Sequence, residues 1–219
     1  MKNVILTRIF SKSSKNLLCN FREEKKIIYL TFDDGPTEDL TNWILEVLEH
    51  YHAKATFFCL GKHVERFPGQ YQNILYAGHS VGNHSFNHFK GWFTKNQKYF
   101  HDIEKAGKLI NSNLFRPPHG KIRLTQIKEL KASYKIVLWD VLSKDYNTNY
   151  SPEKIIQRVI RLSRPGSVVV FHDSKQAEKN LKQVLPAILE YFQNKGYTFS
   201  SILPKQTLNR PKNQQERPE

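Results

Sequence analysis

Cysteine is scarce in this sequence and long apolar runs are absent, and each shortage excludes a class of protein. The only cysteines among the 219 residues are Cys19 and Cys59, which are too few for a disulfide framework and suit a reducing compartment. Cys59 lies in an apolar run and is predicted to be a small buried thiol. A membrane-spanning helix needs about 18 nearly uninterrupted apolar residues, and runs such as residues 167–171 are far shorter. We therefore expect no transmembrane segment.

The N-terminal segment has too short an apolar stretch for a signal-peptide core, because Arg8 and Lys12 interrupt it. We therefore expect no cleaved leader and a cytoplasmic location, with unconventional export or association with a membrane surface as alternatives. The apolar residues of this segment are expected to pack against the bottom of the core more readily than against a membrane.

Acidic residues are few relative to basic ones. The chain has 34 Lys and Arg against 20 Asp and Glu, a formal net charge of +14. Such an imbalance favours anionic partners or surfaces and leaves open a basic module that binds an anionic polymer. However, the sequence has no zinc-finger cysteine spacing, aromatic RNA-binding signature or sustained basic helix. We therefore expect no nucleic-acid partner.

Short β-branched runs alternate with segments of helical periodicity, which is typical of parallel βα units. Strands are predicted over residues 27–32, 55–60, 80–82, 114–116, 136–139, 168–171 and 197–202. Helices are predicted over residues 38–51, 63–77, 96–111, 124–131, 152–162 and 176–194. A single α/β barrel commonly forms one core at about 200–250 residues. We therefore predict one barrel domain over residues 26–203, an N-terminal extension over 1–25, a disordered tail over 204–219 and a monomer.

Five of the predicted strands end in polar clusters. They are Asp33-Asp34-Gly35-Pro36, residues 84–88, residues 116–120, Asp145-Tyr146 and His172-Asp173. Taken singly, each has an ordinary interpretation as a turn, a rigid loop, a helix N-cap or a solvated side chain. The carboxyl ends of barrel strands converge on one face, where active sites are built. We therefore expect the five clusters to meet at one site.

The second cluster indicates a metal centre. His84 and His88, at i and i+4, are expected to project from the same side of a helical turn and to bind one ion. A catalytic metal site typically has a third protein ligand, and a carboxylate is normal beside two histidines. Either Asp33 or Asp34 supplies it, and the other is then free to act as a general base. Arg116 is expected to pair with the free carboxylate.

A general acid is expected at the end of the sixth predicted strand. His172 is the natural candidate, because an imidazolium can protonate a leaving amine near neutral pH. Asp145 and Asp140 are both candidates for the carboxylate that orients it. Asp140 is more simply explained as a strand-end residue bonded to backbone.

Five stretches of this sequence resemble, in order, the five motifs of the polysaccharide deacetylases. They are Thr31-Phe32-Asp33-Asp34-Gly35-Pro36, His84-Ser85-x-x-His88, residues 116–120, Asp145-Tyr146 and Val170-Phe171-His172-Asp173. These are the NodB-type enzymes of carbohydrate esterase family 4, and the resemblance covers about residues 26–200. It implies a distorted (β/α)7 TIM-like barrel and a divalent metal, usually Zn2+, with Co2+ or Mn2+ as alternatives. It also implies hydrolysis of N- or O-acetyl groups on an acetylated glycan, such as chitooligosaccharide or peptidoglycan.

The resemblance also implies a role for each site residue. Asp33 would be the general base, paired with Arg116, and His172 the general acid, tuned by Asp145. The backbone N–H of His119 would bind the oxyanion, and Tyr146 and Val170 would form an apolar wall for the acetyl methyl group. The metal ligands would be Asp34, His84 and His88.

This sequence departs from the family pattern at three positions. Tyr146 stands where the family usually has Trp, His119 where it usually has Tyr, and Val170 where it usually has Leu. We expect these departures to alter substrate fit without loss of activity. They also leave open a metal-binding role for the His119 side chain and an alternative activity, hydrolysis of a non-sugar amide at the same metal site.

Overall fold

The computed structural model describes residues 17–21 and 25–203. Most of the predicted N-terminal extension and all of the predicted tail lie outside the described residues. In the part of the chain that is described, no helix has the length and apolar character needed to cross a membrane.

Within residues 17–21 and 25–203, nine short strands form the centre of the fold, and every pairing between them is parallel. Their order in the sheet is β1-β6-β5-β4-β3-β2-β8-β7, with β9 paired to β2. The strands are β1 (Leu17–Leu18), β2 (Ile27–Asp33), β3 (Ala55–Cys59), β4 (Ser80–Asn83), β5 (Leu114–Phe115), β6 (Lys135–Val137), β7 (Val141–Leu142), β8 (Val168–His172) and β9 (Thr198–Phe199). The sheet confirms the predicted α/β class.

A single stretch of chain brings the two ends of the sheet together. β6 pairs with β5 near one end, and β7 pairs with β8 at the other. Only residues 138–140 separate β6 from β7, and the Asp140 N–H donates to the Val168 carbonyl at 3.3 Å. The sheet is therefore curled into the predicted distorted barrel, and the carboxyl ends of its strands face a common centre.

The described part of the chain forms seven α-helices, which cover the outside of the sheet. They are α1 (Leu40–His50), α2 (Gly61–Arg66), α3 (Pro68–Tyr76), α4 (Asn96–Gly107), α5 (Leu124–Leu130), α6 (Pro152–Leu162) and α7 (Glu178–Asn194). The predicted bounds of α6 are confirmed, with Ser151 as N-cap and Pro152 in the first turn. The helix predicted over 63–77 is two helices, because Pro68 lacks the N–H needed to continue α2 and instead begins α3.

The core lies between the central strands and the helices. Phe32 of β2 stacks between Phe57 of β3, at 5.0 Å between ring centroids, and Phe171 of β8, at 5.9 Å. Cys59 is fully buried, as its apolar run predicts. This packing holds β3 against β2 and β8, whose last residues, Asp33 and His172, line the candidate site.

Candidate active site

A cavity of about 420 Å³ lies at the carboxyl ends of the strands. Seven of its lining residues were singled out from the sequence: Asp33, Asp34, His84, His88, His119, Tyr146 and His172. Arg116 and Asp145 are fully buried and hydrogen-bonded to lining residues. The five polar clusters therefore meet at one face of the barrel, as their positions after the strands predict.

Three potential metal-ligating side chains converge at one point in this cavity. The Asp34 Oδ1 atom lies 3.2 Å from His88 Nε2 and 3.7 Å from His84 Nε2. His84 Nδ1 lies 2.7 Å from the Arg116 carbonyl oxygen, which can only accept a hydrogen bond. His84 Nδ1 therefore carries the ring proton, and the Nε2 lone pair faces Asp34.

The residues at this point fit a divalent metal ion. Asp34 Oδ1 is buried yet accepts no hydrogen bond from the described residues. Burying a carboxylate oxygen without a hydrogen bond costs free energy unless a cation binds to it. Burial lowers the pKa of His84 and of His88 to about 4, so both imidazoles are neutral at pH 7. Two neutral imidazoles and a carboxylate are a typical donor set for catalytic zinc.

The chain between His84 and His88 is a loop, so the helical turn predicted there is wrong. Ser85 and His88 have φ values of 67° and 65°, which are incompatible with a right-handed helix. The buried Asp102 carboxylate holds this loop by accepting the N–H groups of Phe86 and Asn87, each at 3.0 Å. The two imidazole rings still converge, with their centroids 5.1 Å apart.

Left-handed backbone conformations are concentrated around the cavity. Asp34 and His119 have φ values of 79° and 57°, in addition to the two residues of the histidine loop. The Asp34 carbonyl accepts a hydrogen bond from His63 Nδ1 at 2.6 Å, which supports this conformation. Non-glycine residues in this region carry conformational strain that the surrounding structure must offset, and such strain is common at functional sites.

The Asp33 carboxylate is held by a buried arginine. Arg116 Nη1 donates to Asp33 Oδ1 at 2.7 Å, and both side chains are almost completely shielded from solvent. Burial alone would raise the pKa of Asp33, but Arg116 and, to a lesser extent, His84 outweigh it and hold that pKa below its usual range. Asp33 is therefore an ionised carboxylate that faces the cavity.

The His172 imidazole is held by Asp145, and Asp140 lies elsewhere. Nδ1 of His172 donates to Asp145 Oδ1 at 2.8 Å, and the His172 backbone N–H donates to Asp145 Oδ2 at 2.7 Å. Burial alone would lower the pKa of His172, but Asp145 outweighs it and the pKa is raised to about 9. Asp140 instead accepts the Val168 N–H at 2.9 Å and the Ser167 hydroxyl at 3.1 Å, which fits the strand-end interpretation.

The apolar wall of the cavity matches the prediction at Tyr146 but not at Val170. Tyr146 packs edge-on against the His172 ring, with centroids 4.8 Å apart. Val170, however, lies two residues before His172 on β8, between β2 and β7, and is fully buried in the barrel. The rest of the apolar lining comes from Trp139 and Leu142, which the sequence motifs do not identify.

A further buried carboxylate supports the loop that carries Asp33 and Asp34. Asp173 accepts the hydroxyls of Thr37 at 2.6 Å and Thr41 at 2.5 Å. Its backbone N–H donates to the Asp33 carbonyl at 2.8 Å. The space beside it admits only glycine at position 35, where a Cβ would clash with the Asp173 carboxylate. The sequence motif includes Asp173, but its partners become apparent only in three dimensions.

The barrel combines a donor set for a divalent metal with a separate His–Asp pair at its strand ends, an arrangement suited to a hydrolase. Residues 21–135, more than half of the chain, match the family model described as polysaccharide deacetylase. The chain belongs to the polysaccharide deacetylase family.

The chain is also similar to several individual deacetylases. A peptidoglycan-N-acetylglucosamine deacetylase of Bacillus cereus is 34% identical over 81% of this chain and 87% of its own length. A chitooligosaccharide deacetylase of Azorhizobium caulinodans is 30% identical over 69% of this chain and 75% of its own. Among solved structures, a peptidoglycan N-acetylglucosamine deacetylase in complex with 4-naphthalen-1-yl-N-oxidanyl-benzamide superposes with a TM-score of 0.81. It is 30% identical and covers 85% of this chain and 91% of its own.

Proposed function

We propose that this protein is a metal-dependent deacetylase that removes N-acetyl groups from sugar residues of peptidoglycan or a related glycan. The observation that carries the proposal is the geometry at Asp34, whose unpartnered buried Oδ1 atom faces two neutral imidazoles beside an ionised carboxylate. The names of the relatives support the substrate class, since they include deacetylases of peptidoglycan and of chitooligosaccharide.

The proposed metal ligands are Asp34, His84 and His88. A divalent metal held there, Zn2+ by the donor set, would supply Lewis acidity at the acetyl carbonyl and lower the pKa of the attacking water towards about 7. Co2+ and Mn2+ are the alternatives. The Arg116 carbonyl keeps the His84 ring in the tautomer whose lone pair faces Asp34.

Two protein groups would move protons in the reaction. Asp33, ionised and oriented by Arg116, would accept a proton from the attacking water. His172, protonated and oriented by Asp145, would donate a proton to the leaving amine nitrogen. The backbone N–H of His119 would stabilise the oxygen that becomes negatively charged, a contact whose loss typically costs about 3–4 kcal/mol of transition-state stabilisation.

The apolar side of the cavity would receive the acetyl methyl group. Trp139, Leu142 and Tyr146 line that side, and Tyr146 packs against the proposed acid. Tyr146 is smaller than the tryptophan usual at its position, so the acetyl group and the sugar ring would have more room. This difference supports activity on an N-acetylated sugar with a bulky neighbouring substituent.

The test separates metal binding from proton transfer. We expect the wild-type protein to release acetate from peptidoglycan and chitooligosaccharides when Zn2+ is supplied. His88→Ala should lose metal in elemental analysis and calorimetry, and therefore lose acetate release. Asp33→Asn should keep the metal but lose turnover by about 100-fold or more.

The control is His101→Ala, which removes an exposed imidazole on α4 away from the cavity and should change neither metal content nor rate. Retained turnover in Asp33→Asn would refute the assignment of the base. A wild-type protein that binds Zn2+ but releases no acetate from any of these glycans would refute the proposed function.

A further inference from the structure

A second concave surface of the protein has three cationic side chains among its five lining residues. This cationic groove has a volume of about 410 Å³ and is formed by Tyr150, Lys154, Gln157, Arg158 and Arg161. No acidic side chain lines it, and none of its three cations has an ion-pair partner among the described residues. The groove thus concentrates positive charge without an internal counter-charge.

The cations of the groove are arranged on one side of α6. Lys154, Arg158 and Arg161 are spaced at i, i+4 and i+7, so they form one row along the helix. At 1.5 Å of rise per residue, this row extends over about 10 Å. Like charges at this spacing destabilise a helix slightly, and an oxyanion lying along the row would remove that repulsion.

Tyr150 lines the groove just before the start of α6. The ammonium groups of Lys144 and Lys154 lie 5.1 and 4.3 Å from the centre of its ring. Lys144 Nζ also donates to the Tyr150 hydroxyl oxygen at 3.3 Å. A fourth cation is therefore held at the groove by contacts within the protein, so part of the ligand site is already ordered.

One segment of chain contacts both the groove and the catalytic cavity. Arg158 Nε donates to the Leu142 carbonyl at 2.8 Å, and Leu142 also lines the cavity. Lys144 immediately precedes Asp145, the partner of His172. Residues 142–146 therefore link the row of cations to the catalytic cavity.

We propose that the cationic groove binds a carboxylate-bearing side branch of the glycan while an acetylated sugar occupies the cavity. The row runs along a helix on the outside of the barrel, so a substituent that hangs from the sugar chain reaches it more readily than the chain itself. The guanidinium groups suit the planar geometry of a carboxylate. This inference rests on the proposed function and narrows it to glycans with acidic branches.

The experiment compares one acidic substrate with its neutral counterpart. The substrates are a peptidoglycan fragment with acidic peptide branches and the same fragment after amidation of its carboxyl groups. The variant is Lys154→Gln/Arg161→Gln, because both side chains are exposed and neither holds the loop of Asp145. The matched control is Lys128→Gln/Lys131→Gln, which removes two exposed charges at the end of α5.

We expect the groove variant to raise KM for the acidic fragment by about five- to tenfold at low salt, with kcat unchanged. KM for the amidated fragment should not change, and the control variant should behave as wild type on both. A variant with unchanged KM on the acidic fragment, or with equal loss on both fragments, would overturn the proposal. Inhibition by inorganic phosphate that exceeds inhibition by the free acidic peptide would reassign the groove to phosphate and also overturn it.

A binding measurement that does not depend on turnover tests this inference separately from the proposed function. The difference between wild type and variant in calorimetric affinity for the acidic fragment reports on the groove, because the catalytic cavity is the same in both proteins. If the wild type binds the acidic fragment more tightly than the amidated one but deacetylates neither, the proposed function fails and the groove is supported. If it deacetylates both fragments with equal KM, the groove assignment fails and the proposed function stands.

Discussion

Three imidazoles in one cavity differ in protonation state at neutral pH, because their surroundings shift their pKa values in opposite directions. Burial lowers the pKa of His84 and His88 to about 4. His172 is also buried, but the adjacent Asp145 carboxylate raises its pKa to about 9. At neutral pH the cavity therefore combines two lone-pair donors and one proton donor, and Asp145 makes the largest contribution that raises the pKa of His172.

The role of Asp145 predicts a change in the pH profile. If His172 acts as the general acid, activity falls as pH rises through its pKa, because the imidazolium loses its proton. In Asp145→Asn the imidazolium loses its ionic partner, so the pKa falls. The alkaline limb of the kcat/KM profile should then move down by about one to three pH units. Kinetics between pH 5 and pH 10 measure this shift.

Glu129→Gln provides the control, since it removes an exposed carboxylate from α5 and should leave the profile in place. An alkaline limb that stays at its wild-type pH in Asp145→Asn would show that His172 does not supply the proton.

At the scale of elements, one arginine ties several strands together beneath the cavity. From the end of β5, Arg116 Nη1 donates to the Thr31 hydroxyl of β2 at 2.7 Å and to Asp33. Nε and Nη2 donate to the carbonyls of Val137 and Leu138 at 3.2 and 3.0 Å. The guanidinium therefore satisfies acceptors on both sides of the barrel as well as orienting the proposed base.

Loss of this guanidinium should destabilise the fold as well as the reaction. Arg116→Leu leaves the buried Asp33 carboxylate unpaired and three other acceptors without this donor, so we expect the free energy of unfolding to fall by about 3–5 kcal/mol. Urea denaturation followed by circular dichroism measures it. Adding Asp33→Asn should recover part of the loss, because it removes the uncompensated charge. Arg164→Leu, at an exposed arginine, is the control, and a loss below about 1 kcal/mol in Arg116→Leu would contradict this account.

Sequence periodicity predicts the longer elements because their pattern is local. The amphipathic repeat and the Ser151-Pro152 start specify α6 without reference to other parts of the chain. In contrast, β1 and β7 have two residues each, too few for any alternation to be visible. They are strands only because β6 and β8 lie beside them.

The candidate site was predictable to the extent that its residues follow strands. Asp33, Asp34 and His172 end strands or directly follow them, so barrel topology brings them together. Leu142 and Asp173 were missed as functional residues because their roles depend on distant partners, the cavity for Leu142 and two threonines for Asp173. Val170 was misassigned because the motif does not specify how deep a strand residue lies.

At the scale of the whole molecule, net charge is a weaker guide than its distribution. Residues 1–26 have seven Lys and Arg and two Glu, a net of +5 out of the +14. In the described barrel, the row of cations on α6 is informative because it lines a groove. One of these cations, Arg158, is also hydrogen-bonded to the chain segment that reaches the catalytic cavity.

The barrel holds its proposed metal ligands through contacts of its own, which predicts how metal removal affects the whole protein. The His84 ring donates a hydrogen bond to the Arg116 carbonyl, and the His88 backbone N–H donates to the Ser85 hydroxyl at 3.1 Å. The Asp34 carbonyl accepts a hydrogen bond from the His63 ring. Chelation should therefore abolish acetate release while the far-ultraviolet circular dichroism spectrum stays unchanged. Added Zn2+ should raise Tm with concentration, by an amount equivalent to about 2.7 kcal/mol at 100 times Kd. His88→Ala should lose this dependence, and unfolding of the wild type on chelation would show instead that the metal is needed to form the barrel.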